Sequence, residues 1–92
     1  MKASDMIPAQ LLASLELLDK CQFQPSAEME QAHDICQEHE GSPLYDWVHA
    51  LVHRIEGDDA NAAYWYRRAG RSRHPGSIAE EWGIIRAVVE KQ

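Results

Sequence analysis

SPLYDWVHALVHRIEGDDANAAYWYRRAG, residues 42–70, is the stretch that decides the fold. Leu44, Trp47, Val48, Leu51, Val52 and Ile55 recur at intervals of three and four. That period places them on one face of a helix, whereas a half-buried strand would alternate every two residues. Ser42 can cap the helix, and Pro43 brings a φ already suited to a first turn. A helix is therefore expected from Pro43 to Glu56. Gly57 suits the left-handed position that ends it. Asp58 is a good cap for a second helix running to about Ala69, and Gly70 ends that one in the same way. The result is a tight helical hairpin over residues 43–69.

The same punctuation divides the rest of the chain. A first helix is expected from near Pro8 to about Lys20, with Ile7, Leu11, Leu15 and Leu18 buried and Leu12 widening the stripe. Gln22 to Gln24 reads as a turn. Pro25 then opens a helix to about Glu38, with Met29, Ala32, Ile35 and Cys36 on its apolar side. After a basic loop at 70–76, Ser77 and Glu80 form a capping box for a last helix. Its expected buried face is Ile78, Trp82, Ile85 and Val89, flanked by Ile84 and Val88. Met1 to Met6 reads as a frayed polar start. No segment has the period of a strand. The reading is a single all-α domain over residues 1–92, a compact bundle of about five short helices joined by short loops.

Composition narrows the function classes. The 92 residues are 45% hydrophobic and 26% charged, a globular balance with room for one modest core. Net charge is -6, and it is unevenly spread. The first fifty residues carry nine acidic side chains against Lys2 and Lys20, while the remainder carries seven basic against six acidic. A duplex nucleic-acid binder needs a basic face, so that class is disfavoured. No apolar run reaches membrane-spanning length, and no secretory leader is recognisable, which makes the cytoplasm the expected compartment. Cys21 and Cys36 read as free thiols, and two cysteines exclude a four-cysteine zinc site.

The unusual chemistry lies between Ser42 and His74. Tyr45, His49 and Glu56 fall on the flank of the apolar stripe, with His53 one turn beyond His49. An i,i+4 imidazole pair fits zinc geometry, with Glu56 as an oxygen ligand. The competing reading is two boundary histidines bonded to backbone or to a neighbouring helix. His53, Arg54 and Glu56 also form a polar end to the helix, followed by Asp58, Asp59 and Asn61. Two acidic residues there already suit a helix N-terminus, and His53 with Glu56 are also the right types for proton transfer. Tyr64, Trp65 and Tyr66 point in three directions, so they either pack between helices or leave aromatic surface exposed. Arg67, Arg68, Arg71, Arg73 and His74 make the one positive patch, suited to a carboxylate, a phosphate or an acidic peptide. No phosphate-binding glycine loop is present.

The hairpin from Ser42 to Gly70 resembles one tetratricopeptide or Sel1-type repeat. Gly57 stands at the small turn position, Ala50 at a small position of the first helix, and Ala62, Tyr66 and Ala69 match the pattern of the second. The resemblance covers about a third of the chain, with no second copy at a 34-residue period, and implies a surface for peptides or partner proteins. The longer string Ala50 to Asp58, with Asn61-Ala62 and Tyr64 to Gly70, is similar to a segment of a small uncharacterised family of bacterial and fungal proteins. That similarity implies that His53, Arg54, Glu56, Asp58, Asn61, Tyr64 and Trp65 belong to one shared feature.

The leading functional expectation is a protein-recognition or assembly module that uses the aromatic and arginine surface of the fourth helix, centred on Arg67, Arg68 and Arg71. A protein or acidic-peptide partner fits that charge, and so does a homodimer. The first alternative is a small-molecule or anion-binding domain built on His53, Glu56 and Asn61. The second is a small metal-dependent enzyme in which His49, His53 and Glu56 converge. No cofactor and no catalytic residue is assigned from the sequence.

Overall fold

A computed structural model of the chain describes residues 6–92, with side chains described from residue 9 onward. Five helices follow in order: α1 (Met6–Lys20), α2 (Ala27–Glu38), α3 (Pro43–Glu56), α4 (Asp59–Ala69) and α5 (Ile78–Glu90). No strand occurs among the described residues, and the all-α bundle stands. The frayed start falls on residues 1–5, outside the described residues, apart from Met6, which opens α1. Ile7's expected burial also lies outside the described side chains.

The helix ends follow local chemistry. Gly57 closes α3 at φ +78°, donating its N–H to the Arg54 carbonyl at 3.0 Å, while Asp58 N–H reaches back to His53 at 2.9 Å. This six-to-one closure needs a residue in the left-handed region, which glycine enters without a Cβ clash. Asp58 then caps α4, its carboxylate accepting from Asn61 N–H. At α5 the Ser77–Glu80 capping box is present in both directions. One boundary is corrected: Pro25 does not open α2. Ser26 does, its hydroxyl accepting from Met29 N–H at 3.2 Å, because an extended Ser can satisfy a first-turn donor and proline cannot.

α3 is the axis of the bundle. It packs against all four other helices, most extensively α4, and α4 packs its backbone against α3 alone. Every side chain from Tyr45 to Val52 is buried. The expectation of a polar border displayed along α3 is therefore overturned at Tyr45 and His49. His39 stacks on Tyr45 at 4.1 Å, and Trp65 on His49 at 3.8 Å, so neighbours cover both sides of the helix. The core runs from Leu11, Leu15 and Leu18 of α1 through Val48, Leu51 and Val52 of α3 to Ile85 and Val89 of α5. Burying one such side chain stabilises the fold by roughly 1.5–3 kcal/mol. Trp82 locks α5 to α1 by donating to the Leu15 carbonyl at 2.8 Å. Its ring also meets Phe23 edge-on in the α1–α2 turn.

Candidate functional site

α2 and α3 bring three histidines together. His49 and His53 are one turn apart on α3, and His33 faces them from α2. Ring centroids are 4.6 Å apart for His33–His49, 4.9 Å for His49–His53 and 5.4 Å for His33–His53. One ring nitrogen of each lies within 4.8 Å of the others. His49 is the inner member, 1% exposed, lying flat against the Trp65 indole from α4. Its Nδ1 is buried with no hydrogen-bond partner among the described residues. Such an orphan costs roughly 1–3 kcal/mol relative to a satisfied group. Burial first, and then His33 and His53, push the His49 pKa down to about 3. The ring is neutral at physiological pH and keeps an unshared pair.

His53 has its Nδ1 2.9 Å from Glu56 Oε1. A carboxylate there fixes the ring's orientation and favours the proton on Nδ1, leaving Nε2 free to accept or ligate. Glu56 in turn neighbours Asp58, so His53, Glu56 and Asp58 form a second group of converging donor atoms. Asp58 is committed to the turn: it accepts from the Asn61 backbone and, at 2.7 Å, from the Asn61 side-chain amide. These two bonds hold its carboxyl below the usual range. Asn61 is thereby used in ordering the start of α4.

A second polar cluster lies between α3, α4 and α5. Glu81 is 1% exposed. Its carboxylate accepts from Tyr66 Oη at 2.7 and 2.9 Å, from Trp47 Nε1 at 3.3 Å and from the Arg54 guanidinium. Arg54 also donates to the carbonyls of His74 and Gly76, which anchors the α4–α5 loop. Trp47 and Arg54 are seven residues apart and so share a face of α3. Arg71 covers that Trp47 ring at 4.1 Å.

The site residues expected from sequence therefore separate. His49, His53, Glu56, Asp58, Asn61 and Trp65 come together at the α2–α3–α4 junction. Arg54 and Arg71 do not join them, because their guanidinium groups serve the Glu81 cluster and the Trp47 face. Of the three aromatics on α4, Trp65 and Tyr66 are buried and Tyr64 is 42% exposed. Arg67 and Arg68 are exposed. Arg68 donates to the Tyr64 hydroxyl at 3.0 Å and lies over the Trp65 ring at 5.2 Å. Arg73 pairs with Asp59 at 3.0 Å.

Sequence reasoning missed His33 and Glu81. Both carried a signal: His33 lies four residues after Met29 and three before Cys36, and Glu81 three after Ile78 and four before Ile85. A polar residue on an apolar period points inward and needs a partner there. A third case is Asp46, 1% exposed with Oδ2 unpartnered. Burial raises its pKa, opposed by the Gly41 N–H that it accepts and by Arg68. Cys21 and Cys36 are free, and burial and then Asp46 push the Cys36 thiol up, which makes it a poor nucleophile. No helix among the described residues is long and apolar enough to cross a membrane. No protein-family model, curated protein or solved structure matches this chain.

Proposed function

We propose that this chain is a helical ligand-binding domain whose site is the junction of α2, α3 and α4. The observation that carries the reading is the orphaned, fully buried Nδ1 of His49 among three converging imidazoles. Buried polar groups are nearly always paired, and this unpaired nitrogen, unlike the orphaned oxygen of Asp46, lies in a ring that converges with two other imidazoles. The His53–Glu56 pair at the same place supports the reading. Thermal unfolding of the full chain with a panel of divalent cations and small anions tests it. At least one member should raise the midpoint of the wild type and leave His49→Phe unmoved. A panel in which every stabiliser acts equally on both proteins contradicts it.

A second reading is a recognition surface on the outer face of α4. Its supporting observation is Tyr64, half-exposed and bonded to Arg68, with Arg67 exposed beside them. A protein or acidic peptide is the matching partner, and a second copy of the chain could offer its acidic half. Arg67→Glu with Arg68→Glu should abolish capture of such a partner, and retained capture would remove this surface from consideration. Two free thiols suit a reducing, cytoplasmic setting for either reading.

A further inference from the structure

We propose that His33, His49 and His53 together bind one divalent transition-metal ion of the zinc class, each through one ring nitrogen. The proposal deepens the ligand-site reading above and rests on it.

The donor set selects the metal. Three imidazoles offer borderline nitrogen donors, which suit zinc, copper, nickel and cobalt and do not suit calcium or magnesium. Two of the three are spaced i,i+4 on one helix, and the third comes from a helix packed across it. Such a site joins two elements that the chain otherwise holds by side-chain packing. The nitrogens lie within 4.8 Å of one another. Around a tetrahedral zinc at about 2.0–2.1 Å, ligand nitrogens stand about 3.3 Å apart. Binding would draw the rings together by that difference, through the side-chain torsions of His33 and His53, the two less buried members.

The surroundings are those of a ligating histidine. Glu56 accepts at the His53 Nδ1, which holds the ring and leaves Nε2 available as a ligand atom. Trp65 lies parallel to the His49 ring, within 14°, and holds its plane. The buried Nδ1 of His49 has no partner among the described residues, and a metal held by the three rings would engage this imidazole. Three protein nitrogens leave a fourth position for water or a second ligand.

The test is a zinc titration of the full chain, stripped of metal with a chelator, followed by calorimetry. Circular dichroism of each metal-free variant confirms folding. The expected result is one zinc per chain. Affinity should fall by at least about 100-fold in His49→Phe and in His33→Gln, and by about 10-fold in Glu56→Gln. His74→Gln, outside the cluster, should bind as the wild type does. Calcium and magnesium should not compete. Three results overturn the proposal. Zinc binding weaker than about 100 µM is one. Binding unchanged in both histidine variants is another. Equal binding of calcium is the third, since it would place the ion on the Glu56 and Asp58 carboxylates instead. The parent reading has its own readout: if zinc fails while an anion or organic compound stabilises the wild type but not His49→Phe, the metal is excluded and the ligand site stands. If both fail, both fall.

Discussion

The two faces of α3 each bury a polar cluster, and the clusters differ in one respect. Toward α5, Glu81 has a partner for each carboxylate oxygen: Tyr66, Trp47 and Arg54 surround it, and Arg54 gives two further donors to loop carbonyls. Toward α2, three imidazoles meet and the innermost nitrogen has nothing. A buried network with every lone pair engaged specifies an arrangement of helices. A buried network left one partner short carries a cost that folding alone does not repay. The contrast teaches that burial of polar residues is not itself a functional signal. The useful signal is a buried, unsatisfied nitrogen among converging ligand atoms.

The largest expected effect breaks the satisfied cluster. Glu81→Ala leaves the largely buried Arg54 without its carboxylate, so urea unfolding should show a loss of about 3–5 kcal/mol. In a domain of this size that lowers the thermal midpoint by more than about 10 °C. A loss under about 1 kcal/mol would mean that the network contributes little and that the contrast is empty.

A smaller effect asks whether unsatisfied atoms cost anything here. Asp46 has an orphaned oxygen and no candidate ligand role. Its pKa is raised in the folded state, so folding favours its protonated form. That contribution is full below the ordinary carboxylate pKa and is lost as pH rises through the folded value. Asp46→Asn keeps an acceptor for Gly41 N–H and removes the charge. It should gain about 1 kcal/mol at pH 7, with the gain fading toward pH 4, as read by thermal midpoints across that range. A pH-independent difference would detach the effect from ionisation.

The smallest effect concerns Arg71, which belongs to the satisfied side through the Trp47 ring. Arg71→Ala should cost about 0.5–1 kcal/mol and leave ligand-induced stabilisation unchanged. Loss of that stabilisation would return Arg71 to the binding site.

The elements were largely legible in the sequence. The three-and-four spacing of α3, the two left-handed glycines and the Ser77 capping box are local features, and the helices between them followed. What sequence could not supply was which flank of α3 a neighbour would cover. Tyr45 and His49 look like border residues until α2 and α4 close over them. The polar residues followed the same logic. Arg54 sits beside His53 in the chain but 100° away on the helix, and therefore serves a different cluster. His33 and Glu81 each interrupt an apolar stripe, and the spacing alone does not name the partner that each meets inside.

The account turns on His49, and the unfolding free energy of metal-free His49→Phe measures it most directly. Phenylalanine keeps an aromatic ring against Trp65 and removes the orphaned nitrogen. If His49 is held for a ligand rather than for packing, the variant should be as stable as the wild type in urea, or more stable by about 1 kcal/mol. A loss of about 2 kcal/mol or more would contradict that, because it would make the histidine a structural residue of the core and the cluster a second version of the one around Glu81.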